Sequence, residues 1–302
     1  MTGMDLDHLR PDVRALATLP ASERLAGLRT NLWIGYTLAN RALARMEEML
    51  AREPGQVRPR NLLIVGPTNN GKTMIAERFR RAHPARPVEN GELEAIPVLL
   101  VQMPPVPSAA RFYTAVLTAL GTPVGYHGGA PRMEGLALRL LGAVGCRMLV
   151  IDELHNLLAA TTQRQRELLN LLRFLGNELR IPLVCLGTRE AYLAIRTDDQ
   201  LENRFHPFPL PSWKDDLEFG RLLASFEAVL PLREPSHLGG GGMRELILRR
   251  SEGTIGEVAM LLAAATAGAL LAGHECIGQA AIEAADYQPP SVRRRLFERD
   301  LH

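Results

Sequence analysis

Between Arg24 and Ala51 apolar residues recur every three or four positions, at Leu25, Leu28, Leu32, Tyr36, Ala39, Leu43, Met46 and Leu50. That period predicts one long amphipathic helix, which Glu53-Pro54-Gly55 ends. Residues 1–22 show no such period, and Pro11 and Pro20 read as breaks in a loosely structured start. Beyond Gly55 the pattern changes to short, nearly continuous apolar runs at Asn61–Val65, Ile96–Gln102, Met148–Ile151 and Ile181–Leu186, with His206–Leu210 as a short fifth. Runs apolar at almost every position suit strands of a parallel sheet covered on both faces. Helical segments fall between them at Met74–Phe79, Ala110–Leu120, Met133–Val144, Gln163–Leu179 and Glu190–Ile195, with a loop over Gly121–Pro131. Strands alternating with helices predict a three-layer α/β sheet.

From Trp213 the strands stop, and helical segments follow at about 213–230, 243–252, 255–273 and 278–285. Within them Gly239–Gly242 reads as a flexible loop, and Arg293-Arg294-Arg295 marks a basic tail. The expected division is an N-terminal helical extension over 1–56, an α/β core over 57–211, a helical lid over 212–288 and a tail over 289–302.

One stretch carries chemistry of its own. Gly66-Pro67-Thr68-Asn69-Asn70-Gly71-Lys72-Thr73 reads G-x-x-x-x-G-K-T, between an apolar strand and a helix. This is the phosphate-binding loop of a large class of NTPases. Its glycines let backbone N–H groups wrap a phosphate, and the new helix adds its positive end. Lys72 is expected to bridge the β- and γ-phosphates of ATP, and the Thr73 hydroxyl to hold Mg²⁺. Of 35 cationic side chains only Lys72 and Lys214 are lysines. A chain that writes its cations as arginine has kept a compact ammonium at this position.

Eighty residues after Lys72, Met148-Leu149-Val150-Ile151 runs into Asp152-Glu153, the Walker B pattern of ATP-hydrolysing proteins. Asp152 is expected in the Mg²⁺ shell, and Glu153 to orient and polarise the attacking water. Thr188, after the fourth strand, suits a sensor of the γ-phosphate. Arg204, in Leu201-Glu202-Asn203-Arg204-Phe205, stands where ring and filament ATPases reach into a neighbour's site; Arg189 and Arg196 are weaker candidates.

Composition narrows the remaining classes. A length of 302 residues allows one large or two modest domains, and 46% apolar with 23% charged residues is ordinary for a soluble globular chain. The net charge of +2 gives no global basic signature, so any DNA contact must come from a local patch. Cys146, Cys185 and Cys276 are far apart in apolar surroundings, which suggests buried thiols in a reducing compartment. The eight histidines show no metal-ligand spacing, and His155, at a helix start, reads as structural. The polar, acidic start is no signal peptide, and the longest apolar stretch, Val258–Ala272, is too short to span a bilayer and reads as a buried helix.

Together these residues resemble an AAA+ ATPase, an α/β P-loop core with a parallel sheet followed by a small all-helical lid. Asn69-Asn70 in the phosphate loop resembles the TniB family of transposition ATPases, as do Asp152-Glu153-Leu154-His155-Asn156-Leu157-Leu158, Leu175-Gly176-Asn177-Glu178-Leu179, Gly187-Thr188-Arg189-Glu190-Ala191, Arg204-Phe205 and Ser251-Glu252-Gly253-Thr254-Ile255-Gly256-Glu257. The resemblance runs from about Arg24 to Arg295, and the family is similar to the Mu B, TnsC and IstB regulators. It implies an ATP-dependent protein of the bacterial cytoplasm and nucleoid. Such a protein binds duplex DNA with little sequence preference, assembles on it as a ring or filament, and recruits a DDE transposase, often with a TniQ-like partner. It also nominates Arg111, Arg164 and Arg166 as DNA contacts, on loops and helices that line the DNA channel in related filaments; arginines suit phosphate contacts without base readout. One departure stands out. Where many AAA+ lids carry a sensor II arginine, this chain has Gly256 and Glu257. Two other readings fit an ATP site: a helicase loader acting on a protein ring, and a nucleotide-gated signalling switch that needs no DNA.

Overall fold

The computed structural model describes residues 5–28, 33–87, 94–122 and 129–300. Most of the expected loop Gly121–Pro131, and the first four residues of the expected loose start, lie outside them. The chain divides into two compact units, one of residues 38–211 and one drawn from 1–37 and 212–302. The expected N-terminal extension over 1–56 is thus split at Thr37–Leu38.

The core unit takes in nearly all of α3 (Thr37–Arg52) and then a parallel sheet of β1 (Asn61–Val65), β4 (Val98–Gln102), β5 (Met148–Asp152), β6 (Leu183–Gly187) and β7 (Phe205–Pro209), in the order β4-β5-β6-β1-β7. A two-residue antiparallel pair, β2 (Arg86–Pro87) and β3 (Glu94–Ala95), lies apart from it. Between the strands come α4 (Lys72–Ala82), α5 (Ala109–Ala119), α6 (Ala130–Ala143), a 3-10 helix over Leu154–Ala159, α7 (Thr162–Leu179), α8 (Arg189–Ile195) and the short α9 (Asp199–Glu202). Every residue of β5 and β6 is buried, as unbroken apolar runs require when helices cover both faces. Leu63, Leu149, Ile151 and Leu183 from the sheet meet Phe112, Leu141, Leu168 and Leu172 from the helices in one core. Asn61 is a polar residue at the start of a central strand, and its placement has a cause: its Oδ1 accepts the Leu183 N–H at 2.9 Å, so the buried amide is satisfied across the sheet.

The helical unit holds α1 (Pro11–Ala17), α2 (Ala21–Gly27), α10 (Leu217–Glu227), α11 (Gly241–Ser251), α12 (Ile255–Leu271), α13 (Gln279–Ala284) and α14 (Pro290–Asp300). Here the structure corrects several expectations. Two helices stand within the expected loose start: Pro11 occupies the first position of α1 and Pro20 caps α2, where proline's missing N–H costs nothing. Leu6, Leu9, Val13 and Ala17 are buried against Phe219, Leu222 and Leu223 of α10. The long helix over Arg24–Ala51 is two helices. Between them residues 33–36 run without helical structure, burying Ile34 and setting the Tyr36 ring edge-on to Trp213 at 5.1 Å. Burial in the helical core overrides the local helical period. Of the four glycines over 239–242, the last two begin α11, and a Cβ on Gly239 would stand 3.0 Å from the Gly220 carbonyl. The basic tail is helix α14, with the Arg293 Nη2 donating to the buried carboxylate of Glu257 at 2.6 Å.

Among the described residues no single helix is long and apolar enough to cross a membrane. The bent pair α11 and α12 is apolar enough in combination, but Leu261, Leu262 and Ala265 of α12 are core residues.

Candidate nucleotide-binding site

The end of β1 turns through Gly66–Gly71 into α4. Gly66 is required by packing: a Cβ there would lie 2.6 Å from the Leu210 carbonyl oxygen, and the Leu210 N–H in turn donates to Val65 O at 2.7 Å. Asn69 (φ 57°) and Gly71 (φ 79°) take the left-handed conformation that asparagine and glycine tolerate best, which turns the loop onto the first residue of α4, Lys72. Asn70 is buried. Its Nδ2 donates to Leu210 O at 2.9 Å and Pro211 O at 3.1 Å, tying the loop to the end of β7. Pro67 is half-buried and Thr68 exposed.

Lys72 is only 8% exposed, and its Nζ donates to Gly66 O at 2.9 Å and Pro67 O at 2.6 Å. Burial holds its ammonium below the usual lysine range, and the charges of Asp152 and Glu153 oppose that shift. Across the site, β5 delivers Asp152. Its Oδ2 accepts the Thr73 hydroxyl at 2.6 Å and its Oδ1 the Glu153 N–H at 2.7 Å. Glu153 has φ 53°, rare for a side chain of its size, and its Oε2 lies 3.0 Å from the Nε2 of His155.

Thr188 follows the last residue of β6. Gly187 pairs with Val65, and its carbonyl accepts the Gly66 N–H at 3.2 Å, so Thr188 stands beside the start of the phosphate loop. A hydrogen bond from Thr188 holds the exposed Glu190 carboxyl below its ordinary range. Four segments far apart in sequence therefore converge at the carboxyl ends of β1, β5, β6 and β7.

Arg204 is not among them. Its carbonyl accepts the N–H of Asn61, at the opposite end of β1 from the loop, and its Nη1 donates to Asn177 Oδ1 at 2.7 Å. Five residues of strand put it roughly 16 Å from the loop of its own chain. Arg189 is exposed, and Arg196 is occupied by Glu202 at 2.7 Å. Arg111, in the first turn of α5, and Arg164 and Arg166, in the first turns of α7, are exposed, and their side chains make no hydrogen bond or ion pair among the described residues. In the helical unit Glu257, at the sensor II position, is turned inward, accepting from the Tyr287 hydroxyl at 2.7 Å and from Arg293.

The donor set fits a magnesium nucleotide. The Thr73 hydroxyl donates to Asp152, which leaves lone pairs on the hydroxyl and carboxylate oxygens facing the loop for a small hard cation, whose remaining ligands would be water and phosphate. The loop has no room for a side chain at Gly66 and carries a buried ammonium that, among the described residues, donates to carbonyls of the same loop. Among the described residues no cluster of three or more His, Cys, Asp or Glu could hold a metal ion. Cys146, Cys185 and Cys276 form no disulfide. Cys185 is buried, Cys146 and Cys276 are partly buried, and burial pushes the Cys146 thiol up to about 11. The sequence places Asn70 in the phosphate loop and His155 at a helix start, but it shows neither the anchoring bond of the first nor the carboxylate contact of the second. The anchoring role of Asn70 depends on a carbonyl 140 residues away, and His155 looks structural until the turn that aims it is folded.

No curated protein matches the chain. Solved structures share its fold at low identity. The ORC2 protein of Aeropyrum pernix, in ADPNP–ADP complexes, superposes with a TM-score of 0.59 at 18% identity, covering 81% of this chain and 66% of that one. Cdc6p of Pyrobaculum aerophilum gives 0.56 at 15%, with 81% and 66% covered, and the Aeropyrum pernix ORC1 protein in complex with DNA gives 0.52 at 16%, with 85% and 65% covered. This chain spans slightly under two thirds of each. Their shared architecture is the AAA+ fold, an α/β core followed by helices. Residues 24–215 match the family described as Bacterial TniB protein, a span that takes in the phosphate loop, Asp152-Glu153, Thr188 and Arg204. The chain belongs to the TniB family.

Proposed function

We propose that the protein is an ATP-hydrolysing regulator of DNA transposition that assembles on duplex DNA without sequence preference. The observation that carries the hydrolytic part is the meeting of Thr73 and Asp152 at 2.6 Å beside a buried Lys72. Gly66–Thr73 cradle the triphosphate, Lys72 spans its β- and γ-phosphates, and Thr73 with Asp152 hold Mg²⁺. When bound, the cation supplies charge neutralisation at the phosphate oxygens. Water adds to the terminal phosphorus, the bond to the bridging oxygen breaks, and Glu153 takes the water's proton. Thr188 is placed to sense the γ-phosphate. Arg204 serves a neighbouring copy's site, because its own loop is a strand's length away. Assembly as a ring or filament then completes each site.

The family match supports transposition as the setting. Arg111, Arg164 and Arg166 are the proposed phosphate contacts; with only +2 net charge, stable binding needs several copies side by side. The assembly recruits a DDE transposase, with a TniQ-like protein as a second partner, in the bacterial cytoplasm and nucleoid. The test is direct imaging of the protein with ATP, a non-hydrolysable analogue or ADP, with and without arbitrary duplex DNA. ATP-dependent rings or filaments on DNA support the reading. Equal DNA binding with ADP, or none in any state, overturns it, and assembly without DNA turns it toward a helicase loader or a signalling switch.

A further inference from the structure

We infer that His155 is the positioning residue for Glu153, holding one carboxylate oxygen so that the other is free for the attacking water. The inference rests on the proposed hydrolytic reading and adds a residue to it.

Glu153 needs such a partner. Its backbone is pinned in the left-handed region, with its N–H on Asp152 Oδ1 at 2.7 Å, but its side chain is 34% exposed and otherwise free to swing about its own torsions. His155 Nε2 is 3.0 Å from Glu153 Oε2. The other ring nitrogen, Nδ1, is buried and has no hydrogen-bond partner. With Nδ1 closed off, the ring meets a polar partner only through Nε2, which faces the Glu153 carboxylate.

The ring itself sits on a fixed platform. Leu154 and Leu157 of the 3-10 helix are fully buried, and Asn156 Nδ2 donates to Met103 O at 2.8 Å. The turn also lies hard against the end of β6. A Cβ on Gly187 would come within 2.7 Å of Ala191 Cβ, 3.5 Å of Leu154 Cβ and 3.7 Å of the His155 N. Only glycine lets the 3-10 turn and α8 close over the strand, and the same strand end carries Thr188. A reacting group oriented by a second side chain on a rigid turn is the general arrangement for an activated base.

The test is steady-state ATP turnover of the full chain with DNA. His155→Ala is expected to lower kcat roughly tenfold with KM nearly unchanged, the pattern of an interaction used only in the chemical step. His155→Gln, whose amide nitrogen reaches the Nε2 position, is expected to keep most of the rate. His155→Asn, equally polar but reaching only the Nδ1 position, is expected to lose it. In a Glu153→Gln background, His155→Ala is expected to cost nothing further. Gln and Asn variants with equal rates, or His155→Ala at the wild-type rate, or losses that add in full to Glu153→Gln, would each overturn the inference. If wild type hydrolyses ATP and Lys72→Ala does not, such a result sinks the role of His155 alone. A wild type without turnover sinks the hydrolytic reading and the inference together.

Discussion

Both compact units bury charged side chains, but to different ends. In the helical unit Arg24 is 3% exposed, with its Nη1 and Nη2 on the Glu275 carboxylate at 2.7 and 2.8 Å and a further bond from Nη1 to Pro231 O at 3.0 Å. Glu257 is closed in the same way by Tyr287 and Arg293. In the core unit Lys72 and Asp152 are nearly as buried, yet neither makes an ion pair within 4 Å among the described residues. Lys72 leans on carbonyls of its own loop, and Asp152 on a hydroxyl and a backbone amide. A buried charge matched by an opposite charge is scaffold. A buried charge given only neutral partners keeps its electrostatic capacity for a ligand.

That contrast can be broken from either side. The largest effect is expected from Lys72→Ala, which should cut ATP turnover on the order of 10³-fold while moving the unfolding free energy by no more than about 1 kcal/mol. Turnover assays beside denaturant titrations check it, and a stability loss as large as that of an ion-pair deletion would erase the distinction. Glu275→Ala should do the reverse, costing about 3 kcal/mol of stability because it leaves the Arg24 guanidinium buried without its counter-ion. Nucleotide affinity, read by calorimetry below the unfolding transition, should stay unchanged. Tyr287→Phe removes one donor from Glu257 and leaves Arg293 in place, so about 1.5 kcal/mol is expected by the same titration.

The smallest effect is a slope with pH. The bond from Arg24 holds the Glu275 carboxyl below its ordinary range, with the Arg233 N–H and both guanidinium charges adding to it. The unfolded chain therefore takes up this proton first as the medium is acidified. The stabilisation is present above the ordinary glutamate value near about 4.3 and fades as pH falls below it. Glu275→Gln should flatten the acid limb of a stability–pH curve, and an unaltered limb would remove Glu275 from the scaffold set.

The core unit was largely legible in the sequence because its signals are local. An apolar run, two glycines and a lysine within eight residues specify a strand, a loop and a helix start, and Asp152 follows its strand directly. The helical unit was less so. Leu28, Leu32 and Tyr36 fit a helical period, but Ile34 is buried in, and the partly buried Tyr36 packs against, a core whose other side is built about 180 residues later, at Trp213 and Phe219. Periodicity reports what a segment can do alone and cannot register a distant surface that competes for its side chains. The same limit hid Asn70 and His155, whose amide and ring acquire meaning only when Leu210 and Glu153 are brought to them.

The distance between Arg204 and the loop of its own chain has a consequence for bookkeeping in any assembly. On the proposed reading each copy carries a pocket at one edge and the arginine for someone else's pocket at another. A closed ring then has as many complete sites as members, whereas every open row has one fewer, and its terminal member is idle. Turnover per chain should rise with row length and saturate, so the specific activity of a preparation becomes a ruler for how long its assemblies have grown.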